Sequence, residues 1–202
     1  MEGSDTGNAA CRDTVNTRRI FDILVSLVLL ALMCIPMLVI AIVIKLSSRG
    51  PVFYWSDRVG INNSLFKMPK FRTMRVGAPE VATHLMKNPE QYLTPIGSIL
   101  RKLSLDELPQ LWSVLKGDMS LVGPRPALYN QDDLIEMRTR MGIHKLLPGL
   151  TGWAQVNGRD DLPIPIKVEY DAYYMKNRNL RLDLKILWLT IVNVLKKEGV
   201  RY

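Results

Sequence analysis

Hydrophobic and polar positions divide the chain into one long apolar run followed by a mixed pattern. From Ile23 to Ile44 the sequence ILVSLVLLALMCIPMLVIAIVI holds no charge over 22 residues, matching the roughly 20 apolar residues that a membrane-spanning helix needs. Pro36 lies near its middle, where it lacks a donor and clashes with the carbonyl of Leu32, which predicts a kink. Arms from Ile23 to Ile35 and from Pro36 to Ile44 would be about 20 Å and about 13 Å long, each short of a hydrocarbon core of about 30 Å. Arg18 and Arg19 precede the run while Lys45 and Arg49 follow it. Basic residues at both ends favour both ends being cytoplasmic. The pattern therefore favours a proline-broken, re-entrant membrane helix over residues 18–49. An ordinary spanning helix with a tolerated proline and a buried core hairpin are the other readings. Asp22, at the mouth of the run, needs a partner that Arg18 or Arg19 could supply, although solvation at a helix end also accounts for it.

Downstream, Pro51 to Met74 alternates aromatic or aliphatic with polar positions around Gly60-Ile61-Asn62-Asn63, predicting a β-hairpin. Val76 to Leu93 reads as a loop with a short helix, and Thr94-Pro95-Ile96-Gly97-Ser98 as the start of another helix. Ser104 with Glu107 fits a capping box, predicting a helix from Leu105 to about Leu115 that stops before Gly117. Gln131 to Met141 suggests a charged helix, Pro148 to Arg159 a turn-rich loop, and Ile166 to Met175 a further helix. From Leu182 to Leu195 apolar residues interleave with Arg181, Lys185, Lys196 and Lys197, which suits a helix on an anionic membrane surface and equally a core-packed helix with solvated lysines. The fold class expected is α+β, mainly helical: a polar tail (1–17), the membrane helix (18–49) and a small cytoplasmic catalytic domain (50–202) with a short hairpin and amphipathic surface helices.

Charge and composition narrow the function. A formal net charge of +8 over 202 residues calls for an anionic partner. Cys11 and Cys34 show neither a disulfide pattern nor zinc spacing, and His84 and His144 are too few and too far apart for a His-based metal site or a Ser-His-Asp triad. Neither a Gly-x-x-x-x-Gly-Lys-Ser/Thr loop nor a Gly-x-Gly-x-x-Gly turn is present. Lys70 and Arg72 in KFRTM, Arg101 and Lys102 before the acids, Arg125 in GPRP and Arg159 in QVNGRD fall near turns. Arginine suits bidentate recognition of phosphate oxygens, and Pro124 and Pro126 lower the entropy lost in positioning Arg125. Aromatic residues do not interleave with these arginines as a nucleic-acid stacking platform requires, so phosphate on a small substrate fits better.

The adjacent carboxylates Asp106 and Glu107 are open to two readings: acids that complement a helix dipole, or an aspartate able to attack phosphorus and form an acyl-phosphate. About 100° apart on a helix, they would have different tasks. Attack on a diphosphate by an anion is repulsive, which a magnesium ion held between carboxylate and phosphate oxygens would relieve.

The chain resembles the monotopic phosphoglycosyl transferases, bacterial sugar transferases that begin glycan assembly on a polyprenol-phosphate carrier. The likeness runs from Arg18 to the C-terminus through RRIFD (18–22), the proline-containing apolar run, KFRTM (70–74), LRKLSLDELPQLW (100–112), GDMSLVGPRP (117–126), PGLTGWAQVNGR (148–159) and EYDAYY (169–174). It implies a catalytic dyad at Asp106 and Glu107, a magnesium requirement with Asp106 as ligand, and a membrane helix bent at Pro36. It implies that Asp106 attacks the β-phosphate of a UDP-sugar, releases UMP and holds the phosphosugar until polyprenol phosphate (undecaprenyl phosphate) takes it. Glu107 would assist the metal or a proton transfer. Lys70, Arg72, Arg101, Arg125, Gln155, Asn157 and Arg159 form the expected substrate-binding set, with Arg101 at the lipid phosphate and Arg125 at the nucleotide. The expected place is the cytoplasmic face of the bacterial inner membrane, in contact with membrane lipids and without nucleic acid; a homo-oligomer is left open. Ile35 stands where members often carry Ser before the proline, and Pro69 where an aromatic is common. A non-enzymatic basic membrane anchor binding anionic partners is the alternative from a different class.

Overall fold

The computed structural model describes residues 5–79, 89–158 and 162–196, with side chains from residue 17 onward. It begins with α1 (Asp5–Ser47), a single helix of 43 residues with Pro36 inside it. The break expected at Pro36 is therefore not an end of the helix: one backbone donor is missing there, and the helical ladder resumes beyond it. Its sides differ. Asp22, Ser26, Ile40 and Ile44 are buried, whereas Leu24, Val28, Leu32, Ile35, Val39 and Leu46 are exposed. Steps of four at both ends of the buried set put it on one face, the spacing of an amphipathic helix.

A hairpin follows, formed by β1 (Phe53–Val59) and β2 (Leu65–Phe71) in antiparallel register with Phe53 opposite Phe71 and Val59 opposite Leu65. Its turn places Asn62 and Asn63 at φ of 53° and 60°, a left-handed conformation that asparagine tolerates. After α2 (Gly97–Lys102) the chain makes a 3₁₀ turn over Leu105–Gln110 and only then enters α3 (Leu111–Lys116). The capping box expected at Ser104 is not formed: Ser104 is left-handed (φ 54°) with no side-chain cap, and the Glu107 side chain turns to Lys70 and Arg125 instead. Ion pairing has outcompeted the local cap. The end of α3 at Gly117 (φ 101°) is as expected.

β3 (Ser120–Val122) pairs in parallel with β4 (Gly149–Thr151). The expected turn-rich loop of residues 148–159 thus contains a strand and a short helix, α5 (Trp153–Val156). α4 (Asp132–Arg140), α6 (Ile164–Asn177) and α7 (Leu180–Lys196) complete the fold. The main core joins Met68, Leu111, Val114, Met119, Leu121, Val122, Tyr174 and Ile186, against which Phe21, Val25, Leu29 and Leu30 of α1 pack. Farther along α1, Ile40 and Ile44 meet Phe71 and Leu100. α7 buries Asp183 and Ile186 while exposing Leu184, Trp188, Ile191 and Leu195, so it has both a core face and an apolar outer face.

Candidate active site

Both ends of the apolar stretch of α1 (Thr17–Ser47) are tied to the domain by polar side chains. Arg19 donates to the carbonyls of Val114 (2.6 Å) and Leu115 (2.8 Å) in the last turn of α3, where the Val114 carbonyl also accepts from the Gly117 amide (3.2 Å). Asp22 accepts from the Ser120 hydroxyl (2.7 Å) and the Leu121 amide (3.2 Å) of β3. Arg18 pairs with Asp183 of α7 at 3.1 Å. The hydrogen bonds to Asp22 thus come from β3, while Arg19 and Arg18 of its own helix act on it through charge, as expected. At the other end, Arg72 donates from Nε to the Pro51 carbonyl (2.6 Å), from Nη1 to that of Arg49 (2.9 Å), and from Nη2 to the Ser48 carbonyl (3.0 Å) and hydroxyl (2.9 Å). Arg72 is buried and holds the chain leaving α1; it does not join the acidic cluster.

That cluster forms where β2, the 3₁₀ turn and the loop after β3 converge. Lys70 Nζ lies 2.9 Å from Glu107 Oε1, and Arg125 Nη2 lies 2.7 Å from the same oxygen. Arg125 Nη1 also donates to Oε2 at 3.4 Å. Burial opposes ionisation of Glu107, but the charges and hydrogen bonds of Arg125 and Lys70 outweigh it and hold the carboxyl well below the usual carboxylate range. Burial in turn pushes the Lys70 ammonium down, against the pull of Glu107.

Asp106 is the contrasting member of the pair. It is 8% exposed, and it forms no ion pair of the kind that holds Glu107. Burial raises its pKa to about 6, with Glu107 adding to the rise while Lys70, Arg101 and Arg125 oppose it. Arg101 stands in the last turn of α2, with Nε donating to Thr73 Oγ1 at 2.9 Å. The two adjacent acids are therefore shifted in opposite directions: Glu107 is held ionised by two direct ion pairs, and burial raises Asp106.

The loop carrying Arg125 owes its place to close backbone packing. A Cβ on Gly149 would lie 2.0 Å from the Gly123 nitrogen, and one on Gly152 would lie 2.1 Å from the Gly123 carbonyl oxygen. Only glycine lets the strands' ends approach this closely. Gly123 donates to Thr151 (2.8 Å) and Gly149 to Pro124 (2.9 Å), which fixes the start of the Pro-Arg-Pro segment.

Of the residues predicted from sequence, the structure brings together Asp106, Glu107, Lys70, Arg125 and Arg101. Gln155 lies on α5, its amide oxygen 2.7 Å from where a Gly152 Cβ would stand, and neither amide atom has a hydrogen-bond partner. Asn157 is exposed and donates to Trp153 of its own turn at 2.7 Å. Arg159 lies outside the described residues. Sequence reasoning gave no role to Arg58 and Arg138, and noted Asp171 only as part of EYDAYY; all three support the Pro-Arg-Pro segment.

The donor set suits a magnesium ion in one respect. No group of three His, Cys, Asp or Glu capable of holding a metal exists among the described residues, but magnesium usually binds one or two carboxylates and completes its shell with water and substrate phosphates. Asp106, a buried carboxylate with no direct ion pair, fits that role; Glu107, engaged by Lys70 and Arg125, offers much less.

Comparison with known proteins agrees with this arrangement. A family described as bacterial sugar transferase matches residues 13–197. The chain is 42% identical to "Uncharacterized sugar transferase EpsL" of Bacillus subtilis, over 91% of this chain and 90% of that protein. It is 38% identical to "Exopolysaccharide production protein ExoY" of Sinorhizobium fredii, over 91% and 87%. It is also 40% identical to a UDP-N-acetylgalactosamine-undecaprenyl-phosphate N-acetylgalactosaminephosphotransferase of Aeromonas hydrophila, over 91% of this chain but 45% of that longer protein. With a matched region that contains the acid pair, the cations around it and the helix that anchors them, the chain belongs to the bacterial sugar transferase family and is a transferase.

Proposed function

We propose that this protein transfers a sugar-1-phosphate from a UDP-sugar to undecaprenyl phosphate at the cytoplasmic face of the bacterial inner membrane. The observation that carries the reading is the difference between the two acids: Glu107 is held in direct ion pairs with Lys70 and Arg125, whereas Lys70, Arg101 and Arg125 act on the adjacent buried Asp106 carboxyl through charge. Relatives named as undecaprenyl-phosphate glucose and galactose phosphotransferases support the substrate class.

An Asp106 carboxylate oxygen attacks the β-phosphorus of the donor. The bond from that phosphorus to the bridging oxygen breaks, and UMP leaves with the electron pair. An oxygen of undecaprenyl phosphate then attacks the same phosphorus, and the aspartyl oxygen–phosphorus bond breaks to regenerate the carboxylate. Lys70, Arg101 and Arg125 line the site with positive charge where phosphoryl oxygens gather, which stabilises charge developing in transfer. Glu107 keeps Lys70 and Arg125 oriented. A magnesium ion held by Asp106 and the donor's diphosphate would supply further neutralisation of the phosphate charge.

α1 supports the membrane part of this reading. The Thr17–Ser47 stretch is long and apolar enough to cross a bilayer, yet the same domain grips residues near both ends of that stretch, through Arg19 and Asp22 and through Ile44 and Ser48. That double attachment supports a helix that enters and leaves on one face of the membrane. To test the chemistry, detergent-solubilised protein is incubated with magnesium and a panel of UDP-sugars. UMP release and a phosphosugar mass adduct, both lost in Asp106→Asn, are expected; an adduct that persists in Asp106→Asn rules the mechanism out.

A further inference from the structure

Two arginines outside the acidic cluster hold the loop that carries Arg125. Arg138 of α4 is 9% exposed and Asp171 of α6 is 1% exposed. Asp171 Oδ2 accepts from Arg138 Nε (3.0 Å) and Nη2 (2.6 Å), and the remaining Arg138 Nη1 donates to the main-chain carbonyl of Arg125 at 2.7 Å. One residue on, Arg58 of β1 donates from Nη1 to the Pro126 carbonyl (3.1 Å), while its Nε donates to the Ser56 hydroxyl (3.0 Å).

A buried ion pair is a poor source of net stability, because desolvation consumes most of the attraction. Its worth here lies in where its free donor points. The prolines at 124 and 126 fix φ at their own positions, and the planar peptide leaves ψ as the other soft torsion. A hydrogen bond on the carbonyl fixes ψ. Holding the carbonyls of Arg125 and Pro126 therefore removes the freedom that proline leaves, and sets the base from which the Arg125 side chain reaches Glu107 at 2.7 Å.

We infer that Arg138, oriented by Asp171, is a positioning residue for phosphosugar transfer, acting through the Arg125 carbonyl to keep the Arg125 guanidinium on Glu107. Arg58 does the same at Pro126. The inference rests on the transferase chemistry proposed above. Lysine at 138 keeps a positive charge for Asp171 but has no planar fork to serve both acceptors.

The test is a double-mutant cycle on the full chain in detergent, read as kcat/KM for UMP release. Arg138→Lys is expected to lower kcat/KM roughly 10-fold in the otherwise unchanged protein, and by less than about 2-fold when Arg125 is already alanine, because interacting residues are non-additive. A merely structural role would give losses that multiply in full, and that result, or a full rate in Arg138→Lys, overturns the inference. If Arg138→Lys loses cooperative melting, Arg138→Gln/Asp171→Asn runs the same cycle without a buried charge and is judged by the same criterion. Absence of UMP release from the unaltered protein across the sugar panel would instead overturn the transferase chemistry, and the inference with it.

Discussion

Asp106 shows how one side chain can oppose stability and serve chemistry. Its pKa is raised from 3.8 to about 6, chiefly by burial, so between these values the folded protein binds more protons than the unfolded chain. Stability contributed by this group is then full below pH 3.8 and is lost as pH rises through 6. At neutral pH the ionised, buried carboxylate costs on the order of 3 kcal/mol. Asp106→Asn, assayed without divalent cations, is expected to melt higher than the unaltered protein at pH 7.5 and to lose that advantage near pH 4; an equal or lower melting temperature at pH 7.5 would contradict it. Activity should run the other way, with UMP release falling as acid protonates Asp106, since only the carboxylate attacks. Arg72 makes the complementary case. As an arginine near a turn it reads as a phosphate ligand, yet its donors go to Ser48, Arg49 and Pro51. Arg72→Lys, which cannot meet all of these acceptors, should destabilise the protein by about 2 kcal/mol in thermal melts while leaving the KM for UDP-sugar within about 2-fold. The residue types of the site were legible in sequence because carboxylates and arginines announce phosphate chemistry. Their division of labour was not, because which acceptor an arginine meets is decided by tertiary contacts.

Among the elements, those with strong periodicity were predictable and those set by long-range packing were not. Alternation between Pro51 and Met74, with asparagines able to adopt positive φ, marked the hairpin, and apolar spacing marked α7. The segment at Ser104 misled, since its local capping signal lost to ion pairs 37 and 18 residues away in sequence. The parallel pair β3 and β4 was missed because each strand has three residues, too few to display a period. Its requirement for glycine is testable. A Cβ at position 149 would meet the Gly123 nitrogen at 2.0 Å and the Thr151 oxygen at 2.4 Å, both backbone atoms that cannot rotate away. Gly149→Ala should cost about 3 kcal/mol or more and disengage the Pro-Arg-Pro loop. Gly142 has φ of +75° but no atom within 4 Å of its Cβ position, so Gly142→Ala should cost only about 1–2 kcal/mol. Thermal melts of the two variants compare them directly, and equal losses would mean that the close approach of Gly123 and Gly149 is not what the fold needs.

At the scale of the whole molecule, α1 and the domain together determine how the protein meets a bilayer. Asp22 and Ile44 are 22 positions apart, which is about 33 Å along a straight helix, close to a hydrocarbon thickness of about 30 Å. A helix crossing the membrane would put these residues at opposite faces. Yet Asp22 is bonded to β3 and Ile44 packs against Phe71 and Leu100 of the same domain, whose charged surface cannot enter hydrocarbon. Crossing would require one of these attachments to break, and Asp22 would then be left as a carboxylate beside lipid without its two donors. The one-faced topology proposed for α1 therefore predicts both ends on the cytoplasmic side; length and apolarity alone serve either topology. The two cysteines allow a direct test: Cys34, which is exposed on α1, is replaced by serine so that Cys11 remains as the sole thiol. A membrane-impermeant maleimide should leave Cys11 unlabelled in intact spheroplasts and label it in inverted inner-membrane vesicles, in parallel with an epitope appended after Tyr202. Labelling of Cys11 in spheroplasts while the C-terminal epitope stays protected would place the ends on opposite sides, and the attachment at Asp22 could not then exist in the membrane-bound protein.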